Sequence, residues 1–131
     1  MGIFLDASFL VYLNIDVAEA EKIDELFRIL LKEDLYTDVL VLDEVIYISK
    51  RKYGVPYDET IKLLDDLILP NVEILPIRID EYLKARENIL KYNLKPSDAI
   101  HLAVIENNGI QAIVTEDRDF RRVPIKVIWV C

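Results

Sequence analysis

From residue 2 onward, short apolar runs alternate with longer stretches of helical periodicity, and few folds accommodate that alternation. Residues 2–6 hold Ile3-Phe4-Leu5, an apolar run of strand length. Residues 18–32 place Ile23, Leu26, Phe27, Leu30 and Leu31 on one helical face, with Glu21, Lys22, Glu25 and Lys32 largely opposite. Residues 35–38 predict a short strand. Residues 40–53 predict a helix carrying Leu42, Val45, Ile46 and Ser49 at helical spacing and stopping at Gly54. A third helix is predicted over 56–69, opened by Pro56 and closed by Pro70, and then a strand over 71–76. Residues 79–92 predict a helix with Ile79, Tyr82, Leu83, Arg86, Ile89 and Leu90 as one stripe. Residues 96–106 are nearly all apolar, which predicts a buried helix ending at Asn107-Asn108-Gly109. Two last strands are predicted over 112–115 and 126–130. Short apolar strands separated by helices imply an α/β fold, a parallel sheet covered on both faces. With no linker, repeat or low-complexity tract, residues 1–131 are expected to form one domain.

Acids stand where the apolar runs end or begin. Asp6 closes the first strand, Asp117 and Asp119 follow the strand over 112–115, and Glu44 and Asp98 lie near the starts of two apolar helices. Charge at the edge of a core is costly unless something neutralises it. Sites in parallel α/β sheets lie outside the carboxyl ends of the strands, where Asp6 and Asp117 fall. Acids from four segments meeting at one site suit a divalent cation, and carboxylate oxygens match Mg²⁺ or Mn²⁺. One or two such ions could polarise a phosphodiester and activate a water. Taken singly, most of these acids have a plainer account. Asp98 can stabilise a helix N-terminus, and Asp117 or Asp119 can order a turn. Glu44 fits that account less well, because Leu42, Val45, Ile46 and Ile48 surround it.

Composition removes several classes of function. Three glycines in the whole chain exclude a phosphate-binding loop and a dinucleotide fingerprint. No apolar stretch approaches the roughly 20 residues that span a bilayer, and no signal-peptide pattern opens the chain. One cysteine, Cys131, excludes an internal disulfide and fits a reducing cytoplasm. The balance of 24 acids against 16 bases, net −8, opposes binding of a polyanion at long range. Cations or local basic patches would have to offset that repulsion.

Ile3-Phe4-Leu5-Asp6-Ala7-Ser8 resembles the opening motif of PIN domains, and Leu42-Asp43-Glu44-Val45-Ile46-Tyr47 resembles their central Glu helix. Pro96-Ser97-Asp98-Ala99-Ile100-His101-Leu102-Ala103 is similar to the third motif. Val114-Thr115-Glu116-Asp117-Arg118-Asp119-Phe120 is similar to the fourth. The four occur in order and span nearly the whole chain, and the subgroup they most resemble is the VapC-type toxin of prokaryotic toxin–antitoxin pairs. The resemblance implies a three-layer α/β/α sandwich with a central parallel sheet. It implies Mg²⁺- or Mn²⁺-dependent cleavage of RNA, a homodimer and a cognate antitoxin partner. Asp6, Glu44, Asp98 and Asp117 match the metal-binding acids of the family, and Asp119 matches a position often acidic and near the metal. Ser8 and Thr115 match polar residues that line the pocket.

Other residues carry weaker signals. Arg118, Arg121 and Arg122 flank the Asp117 turn and could hold a substrate phosphate; a solvated turn explains them equally well. Lys50-Arg51-Lys52 ends a helix, where cations favour the dipole, and reads as structural first and as a phosphate contact second. His101 follows Asp98 by three residues on one helical face; it could support a site residue from behind or carry a proton, but reads first as a packed, hydrogen-bonded histidine. Two rivals to the nuclease reading remain. One is another Mg²⁺-dependent phosphotransfer enzyme, although Asp6-Ala7-Ser8 lacks the acid pair such enzymes place after the first strand. The other is a non-catalytic PIN-fold module whose acids bind a basic partner.

Overall fold

The computed structural model describes residues 1–15 and 18–130; Cys131 lies outside them. Five strands form one sheet: β1 (Gly2–Leu5), β2 (Asp34–Asp38), β3 (Glu73–Leu75), β4 (Ala112–Thr115) and β5 (Lys126–Trp129). Six helices connect them: α1 (Ala7–Asn14), α2 (Ala20–Leu30), α3 (Val39–Tyr53), α4 (Tyr57–Leu63), α5 (Ile79–Tyr92) and α6 (Pro96–Asn107). The strand order is β3-β2-β1-β4-β5, and every pairing is parallel. Phe4 of β1 sits opposite both Tyr36 of β2 and Ile113 of β4. Ile3, Phe4, Leu5 and all four residues of β4 are buried, so the central strands are covered on both faces. Helix α1 packs on α2 and α3, and α3 on α4, while α5 pairs with α6. With right-handed crossovers, the first four helices cover one face and the α5–α6 pair the other. This is the expected three-layer α/β/α architecture.

The chain winds outward from β1 through β2 to β3, then returns to β4 on the other side of β1. The strand order therefore reverses between β1 and β4, and the crevice at their carboxyl ends is where such sheets bind ligands. Asp6 leaves β1 at this point, and its N–H still bonds to the Val114 carbonyl at 3.0 Å.

Three local features depart from the sequence expectation. Helix α1 was not anticipated, and Asp6 caps it. The helix expected over 56–69 is α4 continued by a π-helical turn, Leu64–Ile68, whose Leu69 N–H reaches the Leu64 carbonyl at 2.9 Å. The wider turn puts both Leu64 and Ile68 in the core.

The third departure reverses a face. Periodicity marks Ile79, Tyr82, Leu83, Ile89 and Leu90 as the side of α5 to bury. The structure buries Glu81, Ala85 and Asn88 instead and leaves Leu90 87% exposed. Polar bonds set this orientation. Glu81 accepts from the Asn107 side chain at 2.7 Å and from the Arg78 N–H at 2.9 Å, and Asn88 donates to Glu106 at 2.8 Å. The two helices meet along a hydrogen-bonded seam, with Ala85 allowing close approach.

Candidate functional site

Asp6 is the N-cap of α1. Its Oδ1 accepts the Ala7 N–H at 2.8 Å and its Oδ2 accepts the Thr115 hydroxyl at 2.7 Å. The Thr115 oxygen in turn accepts the Asp117 N–H at 3.0 Å, which ties the ends of β1 and β4 together. Asp117 caps a short 3₁₀ turn, Arg118–Arg122, by accepting the Asp119 N–H at 2.9 Å. From the third layer, Asp98 enters in the first turn of α6, which Pro96 starts with its φ preset for a helix. One oxygen from each of Asp98, Asp117 and Asp119 lies within 4.8 Å of the other two.

Asp6, Asp98 and Asp117 open into a cleft of about 440 Å³ also lined by Ser8, Tyr12, Glu44, Lys52, Lys95, Glu116 and Arg118, among others, whereas Asp119 does not line it. A larger groove of about 720 Å³ runs along α5, past Arg78, Asp80, Lys84 and Glu87. Its charges are of mixed sign and converge on no common point. The acids converge on the smaller cleft instead.

Burial sets the electrostatics. It pushes the Asp98 carboxyl up to about 8, helped by the neighbouring Asp117 and the charge of Asp6. Asp98 and Asp117 can share a bond only if one of them holds a proton, and Asp98 Oδ2 is buried with no hydrogen-bond partner. Burial also raises Asp6, against the charge of His101 and the bonds from Thr115 and Ala7. Three convergent carboxylates, one with an orphaned buried oxygen, suit a hard divalent cation that can neutralise what the protein cannot.

Glu44 stands slightly apart from that trio. It projects from α3, and its Oε1 lies 2.5 Å from His101 Nε2. His101 is fully buried on α6, and its Nδ1 meets Asp38 Oδ2 at 2.7 Å. Burial alone would push the imidazole down, but the bonds to Asp38 and Glu44 outweigh it and hold the group up at about 10. Both ring nitrogens therefore donate. Asp38's part in this carries no local sequence signal, because 63 residues separate it from His101.

The other sequence-predicted residues divide. Ser8 lines the cleft, and its Oγ accepts the Glu116 N–H at 3.2 Å. Thr115 is buried beneath Asp6 and shapes the floor without lining it. Arg118 reaches the cleft and stacks over the Trp129 ring at 4.5 Å. Arg121 lies over the same ring at 5.8 Å. Arg122 turns toward the chain after α5, donating to the carbonyls of Tyr92 and Asn93 and to Asp119. Lys52, from the basic run that ends α3, also lines the cleft, together with Tyr12 and Lys95, which the motifs did not single out.

Comparison with known proteins agrees with this arrangement. A family model described as PIN domain matches residues 3–126. A VapC ribonuclease of Mycobacterium bovis is 34% identical over 94 residues, 70% of each chain. Among solved structures, the sarcin-ricin-loop-cleaving toxin VapC20 of Mycobacterium tuberculosis superposes with a TM-score of 0.77 at 21% identity, covering 94% of this chain and 95% of its own. DNA-bound VapBC from Salmonella typhimurium gives a TM-score of 0.75 at 18% identity, covering 100% of this chain and 99% of that one.

Proposed function

Because this chain belongs to the PIN domain family, in its VapC branch, we propose that it is a metal-dependent endoribonuclease and the toxin of a toxin–antitoxin pair. The observation that carries this reading is the convergence of Asp6, Asp98, Asp117 and Glu44 on one cleft from four separate elements, with an uncompensated buried oxygen on Asp98. Asp98, Asp117 and Asp119 would hold a divalent cation, Mg²⁺ or Mn²⁺, with Asp6 beside them. Such an ion supplies neutralisation of the scissile phosphate and eases attack by water.

The chain's own residues do the remaining work. Thr115 fixes Asp6 and Asp117 relative to each other. Arg118, with Lys52 and Lys95 on the same cleft, offers cationic contacts to RNA phosphates in a protein of net charge −8. Ser8 and the Glu116 backbone hold the wall between α1 and the Asp117 turn. Without a cation, Asp98 retains a proton near neutral pH, so the empty acid cluster carries less repulsion than four ionised carboxylates would.

Residues 1–131 are read as one PIN-like domain that acts as a homodimer in the cytoplasm and is held in check by a cognate antitoxin. Solved relatives include VapBC toxin–antitoxin complexes, and no helix among the described residues is long and apolar enough to cross a membrane. The test is cleavage of a mixed RNA pool by pure protein with Mg²⁺ or Mn²⁺, beside Asp117→Asn. Metal-dependent cleavage lost in the variant is expected. Cleavage that survives in chelator, or equally in the variant, would remove these acids from the reaction.

A further inference from the structure

Asp38 uses both carboxylate oxygens, although it is fully buried. Oδ1 accepts the Val41 N–H at 2.9 Å and so caps α3, the helix that carries Glu44. Oδ2 binds His101 Nδ1, and the opposite nitrogen of that ring binds Glu44. A single carboxylate at the end of β2 thus fixes both the start of the Glu44 helix and the ring that grips the Glu44 side chain. Phe4 of β1, its ring centroid 5.7 Å from the imidazole, braces the ring from the sheet. His101 also lies one helical turn from Asp98 on α6.

A fully buried imidazole needs a partner for each ring nitrogen; Asp38 supplies one, and a core carbonyl would serve a packing histidine for the other. The second nitrogen reaches instead to a side chain that is 23% exposed in the cleft wall. Burying a carboxylate and an imidazole, with a second carboxylate half-buried, is expensive compared with an apolar core, and the arrangement links the layer carrying Glu44 to the layer carrying Asp98. Groups that orient the residues around a metal site from behind are a recurring means of tuning it.

We propose that His101, anchored by Asp38, is a positioning residue that holds Glu44 by one oxygen against the metal cleft and so sets the distance between the acids of α3 and α6. The proposal deepens the nuclease reading and rests on it only for cleavage; its metal-binding and spectroscopic consequences stand without it.

Two substitutions separate positioning from packing. His101→Gln keeps a donor near the place of Nε2, toward Glu44, while His101→Asn keeps one near the place of Nδ1, toward Asp38. Both remove the same charge, so the comparison between them cancels its effect on cation binding. Calorimetric titration with Mn²⁺, without RNA, should show His101→Asn binding about tenfold or more weakly than His101→Gln. Cleavage should follow the same order in kcat, with KM differing by less than about threefold between the variants. Thermal stability should run the other way, because only His101→Asn leaves Oδ2 of the buried Asp38 with a partner. In a Glu44→Ala background the Mn²⁺ and kcat differences should vanish, since nothing remains to be positioned.

Equal Mn²⁺ affinities, tighter binding by His101→Asn, or a difference that persists without Glu44 would each overturn the proposal. Should neither variant fold, proton NMR of the wild type decides. Two slowly exchanging imidazole N–H signals are expected, the Nε2 one disappearing in Glu44→Ala; its absence from the wild type would overturn the clamp. If the wild type cleaves no RNA, the nuclease reading fails while the Mn²⁺ titrations still judge the clamp.

Discussion

The Thr115 hydroxyl donates to Oδ2 of Asp6 across 2.7 Å, while its oxygen receives the N–H of Asp117 at 3.0 Å. One buried side chain thereby serves acids on both sides of the strand-order reversal. Thr115→Val keeps the shape and removes both bonds, leaving an Asp6 oxygen and the Asp117 N–H without partners. The expected cost is about 1–3 kcal/mol of stability, read from denaturant midpoints, with weaker Mn²⁺ binding because the Asp117 turn is freed. Thr115→Ser should retain most of both. A valine variant as stable as wild type would show that water replaces the hydroxyl at no cost.

Asp98 is the acid least at ease without a cation. Its Oδ2 has no partner, and burial together with Asp117 opposes its ionisation. Asp98→Asn removes the charge and supplies donors beside Asp117. In chelator near pH 8 the variant is expected to be more stable than wild type by about 1 kcal/mol. In Mn²⁺ the order should reverse, because only the wild type gains stability by binding the ion. Unfolding curves of both proteins with and without Mn²⁺ make the comparison. A variant that remains stabilised by Mn²⁺ as strongly as wild type would place the ion elsewhere.

The pH dependence has a definite sign. An unfolded aspartate releases its proton near 3.9, whereas Asp98 in the fold holds it to about 8. Across that interval the native state binds the extra proton, so stability falls as pH rises. His101, held up at about 10 against roughly 6.5 unfolded, extends the decline through the alkaline range. Metal-free protein should therefore lose melting temperature steadily from about pH 6 to about pH 9. Mn²⁺ competes with the Asp98 proton, so its stabilising effect should grow over the same range. A metal-free melting temperature that rises with pH would contradict both shifts.

Much of this architecture was legible because its signals are local. The central strands β1 and β4 are compact apolar runs, and Asp6, Asp98 and Asp117 mark strand or helix ends. Helix α1 was hidden by its own composition. Ala7, Phe9, Leu10 and Val11 are all buried, and Ser8 with Tyr12 makes too short a polar stripe to reveal a period; the cue was Asp6 as a cap. On α5 the apolar stripe misled, because Glu81 and Asn88 find partners on α6 that periodicity cannot see. The contact of His101 with Asp38 joins β2 to α6, and only the folded sheet brings them together. Local pattern specifies elements and places acids near their ends. Which polar groups pair across layers is a property of the assembled fold.

The three arginines of the Asp117 turn, equivalent by sequence, should behave differently. Arg118 lines the cleft, and its guanidinium lies over the Trp129 ring at 4.5 Å. Arg118→Ala should weaken RNA binding and lower the magnitude of its salt slope by about 1, leaving Mn²⁺ affinity nearly unchanged. Arg122 is committed elsewhere: its guanidinium spans the Tyr92 and Asn93 carbonyls and Asp119 Oδ1. Asn93 has a left-handed backbone, φ 53°, so the arginine staples a turn that few residues adopt. Arg122→Ala should cost about 1 kcal/mol of stability and loosen Asp119, weakening Mn²⁺ binding while the salt slope stays as in wild type. Binding isotherms at several salt concentrations, paired with Mn²⁺ titrations, separate the two roles. If Arg122→Ala flattened the salt slope and Arg118→Ala did not, the RNA would run over the α5 end of the turn instead of into the cleft.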